Sequence, residues 1–168
     1  MLFRSQNAPE YIGIGLDNPA MRTLTNRAPN IQILKAEGPA PYISGLMLEL
    51  GEDFTVFNGR NGVELIDNLR AGCAGTIPGV ECCDLQVQIY NSWRSGDHSA
   101  ATTQFRHALP LLSYLMLTID HLLCYGKRLA AQRLGIAQVH DRQPAMAARA
   151  VDLDTLEFWS RHLEPLPE

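Results

Sequence analysis

Apolar and polar positions follow two different periods in the first half of the chain. Short apolar runs of strand length alternate with stretches in which apolar residues recur at helical spacing, as in Pro41–Leu50 before Gly51. Strands that alternate with helices through short links are typical of parallel β-α units. We therefore predict three adjacent parallel strands, at residues 31–35, 54–58 and 73–77, each followed by a helix.

Two further elements precede the first of these strands. Asp17, Asn18 and Pro19 form a helix start, with a capping side chain followed by proline in the first turn, and residues 20–28 continue the helical pattern. Residues 2–6 form a short strand-like stub. With this stub, three or four strands are predicted, which are too few to close a barrel.

From residue 83 onward the pattern is helical only, and we predict that residues 83–164 are almost entirely helical. Pro110 is expected to kink or divide one helix, and Gly135 to stop the next. Asp152 is predicted to cap the last helix, Leu153–Leu163. Several large side chains here need an apolar partner, in the same chain or in a neighbouring subunit: Leu111, Leu112, Leu115 and Leu122.

Composition excludes several classes of protein. The chain has 168 residues, 46% of them hydrophobic, and a formal net charge of −4, so a nucleic-acid partner is not expected. The longest apolar stretch is too short and too interrupted for a membrane span, and no signal peptide is evident. The four cysteines lack the spacing of a metal site or disulfide framework. We predict reduced, mostly buried thiols and a cytoplasmic protein.

Lys35 is the residue that indicates chemistry. It ends a buried strand, and side chains at the carboxyl ends of parallel strands face the active site of such folds. An ammonium group that loses water contacts has a lowered pKa, and its free amine is a nucleophile toward carbonyls. The alternative is a strand-end lysine that reaches solvent and does nothing chemical.

Four segments keep an order and spacing that can be compared with known families. They are Gln6-Asn7-Ala8-Pro9, residues 33–41 around Lys35-Ala36-Glu37, Asn58-Gly59-Arg60, and residues 72–79. Together they resemble the dihydrodipicolinate synthase and N-acetylneuraminate lyase superfamily of Schiff-base aldolases, lyases and dehydratases. The carboxyl-terminal helical region is similar to that family as well, in Ser95-Gly96-Asp97, Pro110, Lys127 and Arg142-Gln143-Pro144.

The resemblance implies a site and a reaction. Lys35 matches the Schiff-base lysine of the sixth barrel strand, Gly59 the glycine that ends the seventh, and Ile77 the residue whose backbone approaches the bound keto acid. The implied activity is imine formation with pyruvate or a related 2-oxo acid, followed by carbon–carbon cleavage, condensation or dehydration. It implies no metal and no organic cofactor. A homo-oligomer is the expected assembly.

Two positions depart from the family pattern. Gln6, predicted to line the substrate site, stands where the family has a proton-relaying tyrosine, and an amide is neither acid nor base near neutral pH. Tyr11 stands where synthase members have an arginine that grips the substrate's second carboxylate, which argues against dihydrodipicolinate synthesis itself.

The fold implied is an α/β one, namely the carboxyl-terminal part of a TIM barrel, about strands five or six to eight, with a helical region after it. We place the partial barrel at residues 1–95 and the helical region at residues 96–168. The family's first four strands have no counterpart in this sequence. The alternative function is therefore a truncated, catalytically silent half-barrel that associates with itself or with a complementary fragment.

Overall fold

The computed structural model describes residues 3–166. The chain forms two compact units, Met1–Pro78 and Gly79–Glu168. The boundary that we placed after residue 95 lies inside the second of these units, because the helix Cys83–Arg94 belongs to it.

The first unit is built on a parallel sheet of four strands in the order β1-β2-β3-β4. The three strands predicted from the sequence are adjacent and parallel, as expected, and the stub at the start of the chain is a full fourth strand. The last strand is shorter than predicted. The strands are β1 (Phe3–Asn7), β2 (Ile31–Ala36), β3 (Thr55–Asn58) and β4 (Gly75–Thr76).

Four helices connect these strands, and their ends follow local sequence rules. The Asp17 carboxylate accepts a hydrogen bond of 2.9 Å from the Ala20 N–H, which confirms the predicted cap. The last helix of the unit begins at Leu65, after a 3₁₀ turn at Arg60–Gly62 in which all three residues have positive φ. The helices are α1 (Pro9–Ile12), α2 (Asn18–Arg27), α3 (Ala40–Leu50) and α4 (Leu65–Arg70).

The core of this unit lies between the sheet and the helices α2 and α3. Alternate residues of the strands and the apolar face of α3 contribute side chains to this core. The strand spacing and the helical spacing seen in the sequence thus place their apolar residues in one cluster. Full burial of each aliphatic side chain contributes about 1.5–3 kcal/mol. The cluster contains Met21, Leu34, Ala36, Ile43, Leu46, Leu50, Phe54, Val56 and Cys73.

The second unit is helical. Its longest described helix has 18 residues, and a five-residue π-helical segment at Leu122–Gly126 lies in the helical region that precedes Gly135. Pro144 follows a cis peptide bond. The helices are α5 (Cys83–Arg94), α6 (His98–Leu115), α7 (Ile119–His121), α8 (Lys127–Arg133) and α9 (Ala150–Ser160).

Two expectations for this unit are wrong. Residues 134–149 are not helical, because Gly135 takes a left-handed conformation and a polar, proline-containing link follows. Asp152 lies inside α9, which begins after Arg149, and does not cap it. Pro110 does not divide α6, which continues from His98 to Leu115, and Leu111 and Leu112 just beyond the proline are buried.

Other expectations are confirmed. Leu111, Leu112 and Leu115 are fully buried and Leu122 is half-buried. All four cysteines are free thiols, and three of them are buried. Within residues 3–166 no individual helix has the length and apolar character needed to cross a membrane, although α6 and the 119–133 segment meet that test as a pair bent by 99°.

Candidate active site

Lys35 and Gln6 lie side by side at the carboxyl edge of the sheet. The two residues are partners in the register of β1 and β2, so their side chains project from the same face of adjacent strands. Both contact one group, the carboxylate of Glu37. The Lys35 Nζ lies 2.6 Å from Glu37 Oε1, and the Gln6 Nε2 donates to the same oxygen at 3.2 Å.

Little of this cluster meets solvent. The Lys35 side chain is 21% exposed and the Glu37 side chain is 9% exposed. Lys35 therefore does not extend freely into water, which was the inert alternative for a strand-end lysine. It forms a mostly buried ion pair, and such pairs depend on each partner because removing one leaves an uncompensated charge.

Hydrogen bonds to β1 and β3 hold the main chain at Glu37 and Gly38. The Glu37 N–H donates to the Asn7 carbonyl at 2.9 Å, which extends the pairing of β1 with β2 by one residue. The carbonyl of Gly38 accepts a hydrogen bond of 3.1 Å from the Nδ2 of the fully buried Asn58 at the end of β3. The carboxylate of Glu37 is itself held by its contacts with Lys35 and Gln6.

Gly59 closes the site from β3. A Cβ at this position would lie 2.6 Å from the Glu37 Cδ and 2.8 Å from its Oε1, closer than real side chains approach. The Gly59 N–H donates to the Ala36 carbonyl at 3.3 Å. The anion that the backbone of Gly59 approaches in this structure is therefore the Glu37 carboxylate.

Ile77 lies one strand further along the same edge. Its N–H donates to the Asn58 carbonyl at 2.8 Å, and the neighbouring Thr76 hydroxyl donates to the same carbonyl at 3.0 Å. The N–H of Ile77 is thus used by the sheet. Any contact of its backbone with a ligand would have to come from its carbonyl oxygen.

Arg60 forms a second charged cluster next to Gly59, and no role for this residue was predicted from the sequence. Its Nη1 contacts both carboxylate oxygens of Glu10, at 2.8 and 2.7 Å, and its Nε contacts Glu64 at 3.2 Å. The Tyr11 hydroxyl is buried next to the Arg60 guanidinium. Burial raises the pKa of Tyr11, while the nearby Arg60 guanidinium acts to lower it.

Asn7 fixes the loop that carries Glu10 and Tyr11. Its Oδ1 accepts from the Leu16 N–H at 2.9 Å, and its Nδ2 donates to the Leu16 carbonyl at 3.0 Å. A buried amide with both ends paired to one residue holds the loop ends together. Within residues 3–166, no three or more His, Cys, Asp or Glu side chains are arranged so that they could hold a metal ion.

The chain is similar to a curated protein, the 4-hydroxy-tetrahydrodipicolinate synthase of Desulforamulus reducens. The two are 26% identical over 154 residues, which cover 90% of this chain and 51% of the synthase. No protein-family model matches the sequence. This chain, with its lysine at the carboxyl edge of the sheet, is therefore similar to a protein named as a synthase.

Solved structures agree with this similarity. The dihydrodipicolinate synthase of Rhodopseudomonas palustris superposes with a TM-score of 0.84 at 17% identity, over 96% of this chain and 56% of that one. A prophage protein of the same family from E. coli K12, solved in complex with pyruvate, gives a TM-score of 0.81 at 19% identity, over 96% and 55% of the two chains.

The chain resembles the carboxyl-terminal half of the dihydrodipicolinate synthase and N-acetylneuraminate lyase family. This confirms the resemblance predicted from the four sequence segments. The chain spans about half the length of the relatives it matches. Its four parallel strands and their helices have the α/β fold of the matching part of the synthase.

Proposed function

We propose that Lys35 forms a Schiff base with pyruvate or a related 2-oxo acid, in a lyase or aldolase reaction. The observation that carries the proposal is the cluster of Lys35, Glu37, Gln6 and Gly59 at the carboxyl edge of a parallel sheet. The relative from E. coli K12 that was solved with pyruvate supports the choice of ligand.

The chemistry follows from the amine and its partial burial. The neutral amine of Lys35 attacks the 2-oxo carbon, and loss of water gives an iminium. This cation withdraws electrons from the adjacent carbon and so permits cleavage, condensation or dehydration there. The backbone of Gly59 and the carbonyl of Ile77 line the same edge, and Gln6 contributes an amide, which suits the recognition of a small polar substrate.

The chain has one other lysine, and it provides an internal control. The Nζ of Lys127 donates to the His140 carbonyl at 2.9 Å and to the Asp141 carboxylate at 3.0 Å, and its side chain is 41% exposed. Lys127 lies at the start of α8 in the helical unit, whereas Lys35 ends a strand. The two lysines therefore differ in secondary structure, in exposure and in the groups they contact.

Borohydride trapping tests the proposal. The chain is incubated with pyruvate and sodium borohydride, and the reduced adduct is measured by intact mass. We expect an adduct on the native chain and on the Lys127→Ala variant, and none on Lys35→Ala. An adduct on Lys35→Ala equal to that of the native chain would contradict the assignment, as would a native chain that gives none at any pyruvate concentration.

A second candidate function is association without catalysis, and the edges of the sheet favour it. Within residues 3–166 the strands β1 and β4 lie at the two edges of a four-stranded sheet. Edge strands can pair with another chain. Sedimentation equilibrium separates the candidates, since a self-associating chain without any pyruvate adduct would support association and exclude the lysine reaction.

A further inference from the structure

We propose that Glu37 is the proton carrier of the Lys35 site. This inference rests on the proposed function and adds a catalytic residue to it. The Glu37 Oε1 lies 2.6 Å from the Lys35 Nζ, within direct proton-transfer distance. The resemblance to the synthase family assigns no role to this glutamate.

An acid–base group is needed here because the ammonium form of Lys35 is not a nucleophile. Gln6 cannot supply one, since an amide does not titrate near neutral pH. Glu10 and Glu64 are each bound to the Arg60 guanidinium. Of the carboxylates at this edge, Glu37 is the one that contacts the amine.

The surroundings of Glu37 keep its carboxylate in a reactive position. The Gln6 Nε2 donates to the oxygen that faces Lys35, and the backbone bond to Asn7 anchors the residue. Gly59 leaves the space that the carboxylate occupies, because a Cβ there would overlap it. The carboxylate can therefore lie beside the amine without a clash with the residue at position 59.

The proton steps balance with one carboxylate. Glu37 takes a proton from the Lys35 ammonium, and the free amine adds to the 2-oxo carbon while the carbonyl oxygen takes that proton back from the Glu37 acid. Glu37 then removes a proton from the nitrogen of the carbinolamine and returns it to the hydroxyl. Water leaves and the iminium forms. The sum is ammonium plus ketone giving iminium plus water, with Glu37 again a carboxylate.

A purely electrostatic role for Glu37 predicts the opposite result from a catalytic role. If Glu37 only held the ammonium in place, removing its charge would release free amine, and the imine would form at the same rate or faster. If Glu37 carries the proton, the amide in Glu37→Gln cannot accept it, and imine formation becomes slower.

The experiment measures the rate of borohydride-trapped adduct formation with pyruvate at neutral pH. We expect Glu37→Gln to be ~10²–10⁴-fold slower than the native chain, which is the usual effect of losing a positioned acid–base group. The exposed Glu52→Gln is the matched control and should retain the native rate. Added formate should restore part of the rate to Glu37→Ala, which has room for it, and none to Glu37→Gln.

The outcomes separate the two claims. A native rate or a faster rate in Glu37→Gln, with the adduct still on Lys35, would overturn the role of Glu37 and leave the Schiff base standing. A Glu37→Ala variant that remains folded by circular dichroism and gains nothing from formate would also overturn it. If the native chain itself formed no adduct, both the proposed function and the role of Glu37 would be overturned.

Discussion

At the residue scale, the sequence allowed us to predict that Gln6, Lys35 and Gly59 lie at one edge of the sheet. It was not used to predict that all three meet the Glu37 carboxylate. Glu37 lies two residues after Lys35, and residues i and i+2 of a strand project to the same face. That spacing was a readable signal for an ion pair. Arg60 and Glu64 are four residues apart, which is also a local spacing, whereas the bond of Arg60 to Glu10 joins residues 50 apart and leaves no local pattern.

Gly59→Ala tests whether the glycine serves the Glu37 carboxylate. The new Cβ would overlap the end of a flexible side chain, so we expect Glu37 to move away from Lys35, and the free energy of unfolding to fall because the mostly buried ammonium loses its partner. Imine formation should slow by about the same ~10²-fold or more as in Glu37→Gln. Trapping kinetics and urea unfolding together check this, and a native trapping rate would contradict it.

Gly45→Ala is the matched control for that substitution. A Cβ at Gly45, in the middle of α3, would meet no atom within 4 Å. We expect this change to raise the free energy of unfolding by about 1 kcal/mol, because alanine loses less conformational freedom in a helix than glycine does. The trapping rate should not change. A urea midpoint lower than that of the native chain would contradict the open space next to Gly45.

At the element scale, periodicity predicted the alternation of strands and helices well and the helix ends in the second unit poorly. The three main strands were predictable because each corresponds to a short apolar run, which is a local pattern in the sequence. Asp152 was expected to cap a helix, but its carboxylate instead accepts from the Tyr125 hydroxyl at 2.7 Å and the Arg149 guanidinium at 2.6 Å. A partner 27 residues away in sequence leaves no local pattern.

Leu112→Ala tests the packing of α6. Leu112 is fully buried, so its truncation should lower the free energy of unfolding by about 2–5 kcal/mol, through lost apolar burial and the cavity left behind. Leu117→Ala is the control, since Leu117 lies just after the helix and is 64% exposed. Its effect should stay within about 0.5 kcal/mol. Equal urea midpoints for the two variants would contradict the burial of this face.

His121 should make the stability of the second unit depend on pH. Burial lowers the pKa of His121, with the Asp152 carboxylate opposing this and the Arg149 guanidinium adding to it, and the Tyr114 and Tyr125 rings pack against the imidazole. As the pH falls, His121 therefore takes up its proton at a higher pH in the unfolded chain than in the folded chain. The contribution of neutral His121 is fully present above the unfolded pKa of about 6.5 and is lost progressively below it.

The measurement for this prediction is the urea midpoint between pH 7.5 and pH 5.5, where most carboxylates are still ionised. We expect a falling midpoint for the native chain and a smaller fall for His121→Phe, which keeps an apolar ring and has no titrating group. Identical slopes for the two proteins would show that His121 does not titrate differently on folding.

At the scale of the whole molecule, the family resemblance was predictable because four short segments keep their order and spacing over most of the chain. The comparison with the Desulforamulus reducens synthase confirmed it at 26% identity. The substrate could not be predicted, because the chain spans about half the length of its relatives and a pocket at the edge of a barrel is lined by many strands.

Supplying an amino-terminal half from a matched synthase should therefore increase activity. Additional strands beside β1 would cover a sheet edge and surround Lys35 with more of a substrate pocket. We expect more pyruvate adduct per hour in the mixture than in the chain alone, and co-elution of the two pieces in gel filtration. Co-elution without any increase in adduct would favour the association candidate.

Peptide mapping of the pyruvate adduct tests whether Lys35 is the residue that forms the Schiff base. After reduction with borohydride and proteolysis, tandem mass spectrometry assigns the added mass to a single amine. We expect the modified lysine to be Lys35, at the end of β2, and the Lys127 peptide to stay unmodified. An adduct on Lys127, or one spread over several amines with no preference for Lys35, would contradict it.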